Sequence, residues 1–179
     1  MKNKKIFGLI ILVILLLALM FINSAQAPEA TPLSLFDPKN TTYVIDEKPV
    51  TLSQGVSELP IPNSSAKIIT RYFGNKAIGD LTSDGRDDVA FLLSQETGGS
   101  GLFYYAVVAI ATDTGYMLTN AFFIGDRIAP QTTEIHSGKL YVNYAERKSG
   151  EPMTTQPSVG VTKYLEINSN QKLVETIKK

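Results

Sequence analysis

The residues whose types and spacing could do chemistry lie between positions 80 and 88. Asp80, Thr82, Asp84 and Asp88 stand at relative positions one, three, five and nine, with Gly85 at six. A glycine there can take the positive φ that folds side chains around one centre. Calcium takes roughly six to eight hard oxygens. The carboxylates of Asp80, Asp84 and Asp88, the Thr82 hydroxyl and the Arg86 carbonyl would supply most of them, with water completing the shell. The other reading is a tight turn at Ser83-Asp84-Gly85 whose aspartates cap backbone amides. Both readings stand. An EF-hand does not, because its bidentate glutamate would fall at position twelve, which is Phe91.

The pattern from Asp80 to Asp88 resembles the Asp-x-Asn-x-Asp-Gly-x-x-Asp loop of FG-GAP and VCBS-type repeats, with Thr82 in place of Asn or Asp. In that family the loop joins two strands and binds calcium, so the resemblance implies the same here. No second copy of the loop occurs, and the family's propeller fold does not carry over. A wider segment, Phe73 to Leu165, is similar to a group of uncharacterised bacterial exported proteins. It carries Gly79-Asp80-Leu81, Gly98-Gly99-Ser100-Gly101 and Gly125-Asp126-Arg127-Ile128. Members of that group often have a cysteine pair after the equivalent of Pro152-Met153, where this chain has Thr154-Thr155.

Other catalytic arrangements are limited by composition. There are no cysteines, so disulfides, thiolate metal sites, cysteine nucleophiles and a lipidated N-terminus are all excluded. His136 is the only histidine, which rules out a Ser-His-Asp triad and a two-histidine metal site. Acid chemistry on an envelope polymer stays open through Asp87, Glu96 or Asp126, provided two of them converge. Tyr104, Tyr105, Tyr141 and Tyr144 could present an aromatic patch or pack as core.

The elements that must position these residues read as strands. Thr42–Ile45 and Pro49–Leu52 flank the polar turn Asp46-Glu47-Lys48 as a hairpin. Ser57–Ser65, with Pro60 and Pro62, reads as an irregular crossover. Ala66–Phe73 resumes β character, and Gly74-Asn75 breaks it before the acidic loop. Val89–Leu93 is a short continuous apolar run, the pattern of a strand buried on both faces. Leu102–Ala111 should pair with it antiparallel, and Tyr116–Ile124 should follow as a third strand before a break at 125–130. Glu134–His136 and Leu140–Tyr144 form a further hairpin through Ser137-Gly138. A long loop, 148–157, leads to Val159–Ile167 and Leu173–Glu175. The expected fold is a mostly β, antiparallel, sandwich-like single domain over 42–179.

Ahead of that domain, Lys2, Lys4 and Lys5 precede an uncharged run from Ile6 to Ile22. At about 1.5 Å per residue this run reaches ~25 Å, the short end of a spanning helix. Residues 1–25 therefore read as a transmembrane signal anchor, and the proline-rich stretch 26–41 as a linker. Ala25-Gln26-Ala27 could serve as a cleavage site, but Pro28 would then stand first in the mature chain, which favours a retained anchor. The lysines hold the N-terminus inside and put the domain outside the cytoplasm. The 17 basic and 17 acidic side chains balance over 179 residues; without the three anchor lysines the remainder carries −3. With no basic run, nucleic acid is excluded as a partner. The expectation is a membrane-tethered extracytoplasmic module that binds a protein or cell-envelope ligand and is stabilised by calcium. The alternative is an envelope-polymer hydrolase.

Overall fold

The computed structural model describes residues 36–177, which belong to the second of two compact units, Thr31–Lys179. The expected membrane helix at 1–25 and the linker up to 35 lie outside the described residues. Twelve strands follow: β1 (Thr42–Ile45), β2 (Lys48–Thr51), β3 (Val56–Pro60), β4 (Lys67–Gly79), β5 (Asp88–Glu96) and β6 (Phe103–Thr112), then β7 (Gly115–Leu118), β8 (Phe122–Asp126), β9 (Ala129–His136), β10 (Lys139–Glu146), β11 (Val159–Ile167) and β12 (Leu173–Thr176). Every pairing is antiparallel. β3-β4-β5-β6 continue into β7, with β8 also on β6; β12-β11-β10-β9 form a second sheet, and β1-β2 a separate hairpin.

The two-faced strand expected at Val89–Leu93 is the centre of this arrangement. From Asp88 through Gln95 β5 is buried throughout, and β6 is buried from Tyr104 to Ala111. Alternation along a strand sends successive side chains to opposite faces. Ala90 and Leu92, with Tyr104, Ala106, Val108 and Ile110, pack against Leu140, Val142, Tyr144, Leu165 and Leu173 of the four-stranded sheet. Val89, Phe91 and Leu93, with Tyr105, Val107 and Ala109, pack under Tyr43, Ile45, Val50 and Leu52 of the hairpin. The result is three layers, with the six-stranded sheet in the middle. Phe36 belongs to the hairpin side, its ring centroid 5.9 Å from that of Phe91 and 5.3 Å from that of Tyr116.

Three expectations are corrected. The first residues of Ser57–Ser65, expected to be an irregular crossover, belong instead to the edge strand Val56–Pro60 on β4, with Pro60 as its last residue, a place that tolerates a missing N–H. The break expected at Gly74-Asn75 is instead a pair of register shifts inside β4, absorbed by positive φ at Gly74 (104°) and Asn75 (49°). The third strand is divided: β7 pairs with the end of β6 and β8 with its beginning, the latter running on to Asp126. Residues 119–121 in the gap take over the pairing. Thr119 donates its N–H to the Val108 carbonyl and accepts the Val108 N–H on its hydroxyl. Asn120 accepts the Leu173 N–H at 2.9 Å, and Ala121 donates to the Val44 carbonyl at 3.3 Å. One short detour thus ties the middle sheet to both outer layers.

Neighbouring residues on β5 therefore belong to different cores, which a double-mutant cycle can read. Phe91 meets Tyr43 edge-on at 5.9 Å, and Leu92 faces the other way. Phe91→Ala should cost about 3–5 kcal/mol and couple to Tyr43→Ala by about 0.5–3 kcal/mol. Leu92→Ala should cost about 2–5 kcal/mol and add to Tyr43→Ala within about 0.5 kcal/mol, as measured by urea unfolding. Equal coupling for both pairs would contradict the separation.

Candidate functional site

The acidic loop connects β4 to β5 and is held by its own carboxylates. Asp80 Oδ1 accepts the N–H groups of Thr82 (3.1 Å), Ser83 (2.6 Å) and Asp84 (3.3 Å), and Oδ2 accepts that of Gly85 (2.9 Å). Positive φ at Ser83 (61°) and Gly85 (84°) turns these amides inward. Partial burial pushes the Asp80 carboxyl upward, but the four amides outweigh it and leave the group below the ordinary carboxylate value. The Thr82 hydroxyl lies 3.5 Å from Asp80 Oδ1.

Asp84 and Asp88 are also engaged. Asp84 Oδ1 accepts the Arg86 N–H at 2.9 Å, and Oδ2 lies 2.6 Å from the Arg86 guanidinium, whose other arm pairs with Asp113. Asp88 is fully buried: its Oδ2 accepts the Leu81 N–H and its Oδ1 the Ala111 N–H, both at 2.9 Å. Burial raises its carboxyl above the ordinary value despite those two amides. Of the sequence-predicted ligands, Asp80 is bonded to the Thr82 and Asp84 amides and Asp84 to Arg86, whereas Asp88 bonds Leu81 and Ala111 and none of the other four. Among the described residues, no three acidic or histidine side chains are disposed to hold one ion. A carboxylate oxygen bonded to an amide keeps a further lone pair. The Arg86 guanidinium would compete with a cation for Asp84.

Of the other acids, Asp87 and Glu96 do not converge as a pair. Asp87 and Glu96 sit at opposite ends of β5, about 30 Å apart at a strand rise of roughly 3.3 Å, beyond the separations glycosidases use. Glu96 pairs with Arg71. Asp126 accepts the Leu102 N–H at 3.0 Å and pairs with Arg127 at 2.5 Å. Burial raises the Asp126 carboxyl, but Arg127 and the Leu102 amide together hold it below the usual range. The tyrosines divide. Tyr104, Tyr105 and Tyr144 are core, whereas Tyr141 is half-buried, edge-on to Tyr164 at 5.1 Å and to His136 at 5.4 Å.

A second feature lies at the far end of β5. The hairpin covers Val89, Phe91 and Leu93 but stops short, leaving a cavity of about 560 Å³ lined by Asp46, Gln95, Thr97, Phe103, Tyr105 and Phe123. Phe123 is 49% exposed, Phe103 is half-buried and Tyr105 is buried, so the aromatic floor opens to solvent chiefly at Phe123. Its ring lies 6.3 Å from Phe103 at 51° and 5.8 Å from Tyr105 at 63°. Gly101 supports this floor: a Cβ there would come within 2.6 Å of the Phe103 ring. At the rim, the Tyr105 hydroxyl donates to Asp46 Oδ2 at 3.3 Å, and its pKa is pushed up to about 12, by burial first and then by Asp46.

Asp46 and Glu47 form the two-residue turn between β1 and β2, both in the left-handed region at φ 47° and 64°. Such turns favour Asn-Gly or Asp-Gly, and Glu47 in this conformation costs about 1 kcal/mol. In the sequence, Asp46-Glu47-Lys48 reads as a plain polar turn and Phe123 as an ordinary strand residue. The available signal was the absence of glycine from so tight a hairpin.

The loop network generates a graded prediction. Each buried amide left without an acceptor costs about 1–3 kcal/mol. Asp88→Ala strands two and should destabilise the chain by about 2–6 kcal/mol. Asp80→Ala leaves its amides beside solvent and should cost less. Urea denaturation checks the order; Asp80→Ala costing more than Asp88→Ala would contradict it.

Comparison with protein-family models, with curated proteins and with solved structures returns no match.

Proposed function

We propose that this chain is a membrane-tethered, extracytoplasmic binding module whose ligand seat is the open aromatic groove beside Asp46. The observation that carries the reading is the exposed, ring-lined floor around Phe123, left uncovered where the hairpin ends. A pocket of this volume with apolar walls and a few polar groups at its rim suits a small ligand or a single side chain of a partner. The tether is argued from the lysine-flanked apolar run Ile6–Ile22, which orients the domain away from the cytoplasm. The competing hydrolase reading loses support because Glu96 and Asp126 are each neutralised by a neighbouring arginine.

The test uses spheroplasts carrying the full chain. Externally added protease should reach the domain, and labelled envelope extract should be retained on the cells. Phe123→Ala should lose that retention, while Tyr141→Ala, in the other sheet, should keep it. Retention equal in both variants, or a domain shielded from external protease, would contradict the proposal.

A second reading concerns the acidic loop: calcium bound by Asp80, Thr82, Asp84, the Arg86 carbonyl and Asp88. It is favoured by the one-three-five-nine spacing and by an Asp80 carboxylate held ionised by four amides. At extracellular affinities of about 0.1–1 mM and about 1 mM free calcium, binding would add roughly 0.4–1.4 kcal/mol. Arg86 competes for Asp84 in this scheme. Arg86→Gln should therefore enlarge the calcium-induced rise in melting temperature, and Asp84→Ala should abolish it. Identical melting curves in calcium and in chelator for wild type and Arg86→Gln would leave the loop as a capped turn alone.

A further inference from the structure

We propose that the groove beside Asp46 recognises an alkylated ammonium group carried on a small ligand. This rests on the reading of the groove as the ligand seat and goes further by naming the chemistry. Three observations converge. The Phe123 ring is tilted against both Phe103, by 51° at 6.3 Å, and Tyr105, by 63° at 5.8 Å. Tilted rings form the walls of an open cage, whereas a sugar would stack on a flat platform. Asp46 adds a carboxylate at the rim, where it accepts a hydrogen bond from the Tyr105 hydroxyl and, among the described residues, makes no ion pair. Among the described residues no lysine or arginine lines the groove, so the one formal charge in its lining is the Asp46 carboxylate.

Ring faces carry negative quadrupole density and attract cations, most strongly where water is excluded. Alkylation decides among cations. A primary ammonium is strongly hydrated and gives up several water contacts on entering an apolar pocket. A methylated one has shed most of that hydration and gains contact with the rings. The turn adds a further indication. Asp46 and Glu47 both adopt a left-handed conformation that glycine would take without strain, and that turn places the acid at the mouth of the groove.

The experiment titrates the full-length chain, held in a maltoside detergent, with choline and with its uncharged carbon isostere 3,3-dimethylbutan-1-ol. Binding is followed by calorimetry and by aromatic NMR signals of Phe103, Tyr105 and Phe123. Choline should bind saturably, at least about tenfold more tightly than the isostere, which isolates the charge because the two shapes match. Asp46→Asn should weaken choline about tenfold and leave the isostere unchanged, and Phe123→Ala should weaken both. Asp87→Asn, an exposed acid at the other end of β5, should change neither. Equal affinities for choline and the isostere, with both lost in Phe123→Ala, would overturn the cation inference and leave the ligand seat standing. No saturable choline binding, or tighter binding of lysine amide than of choline, would overturn it as well. Retention of envelope extract through Phe123 would then still uphold the groove as the seat.

Discussion

A strand with no polar face has to be covered on both sides, and that constraint governs this molecule. β5 runs from a buried aspartate through Val-Ala-Phe-Leu-Leu with no position that water can reach. Left open on either face it would expose Phe91 or Leu92, and each such side chain loses about 1.5–3 kcal/mol of burial. The four-stranded sheet covers one face and the β1-β2 hairpin the other. The hairpin is small, and two isolated strands are marginal in water. It is held by what it covers: Tyr43 against Phe91, and Val44 through its carbonyl to Ala121.

The two ends of β5 are finished in opposite ways. At the head, backbone pairing of β5 with β6 ends at Val89 and Ala109, and the Asp88 carboxylate extends the connection to Ala111 on one side and Leu81 on the other. Burying that charge is costly, as its raised carboxyl reflects, yet removing it would strand two amides. At the tail the covering hairpin stops, and a strained acidic turn stands beside the exposed Phe123 ring. The head closes the fold on itself. The tail leaves it incomplete, which is where a ligand can add contacts.

Much of this was legible in the residues. The uninterrupted run Val89–Leu93 marked a doubly buried strand because alternation was missing, and the hairpins at Asp46-Glu47 and Ser137-Gly138 followed from polar turns between β-branched and aromatic runs. Local signals failed where tertiary pairing overrode them. Gly74-Asn75 looked like a break, but a long edge-to-centre strand accommodated it with bulges. Pro60 looked like a barrier, but at the end of an edge strand it gives up nothing. In the acidic loop, spacing singled out the aspartates, but not that Arg86 would fold back on Asp84 or that Asp88 would reach β6. The groove was hidden because its members, Asp46, Gln95 and Phe123, are separated in sequence and meet only through the stacking of layers.

The central claim is that Asp88 welds the loop and β6 to the head of the doubly buried strand. Native-state hydrogen exchange of the amides that donate to it tests this most directly. If the claim holds, the Leu81 and Ala111 amides exchange as slowly as those of Phe91 to Leu93, opening only with the whole domain. A Leu81 amide that exchanges as fast as that of exposed Ser83, while β5 stays protected, would contradict it.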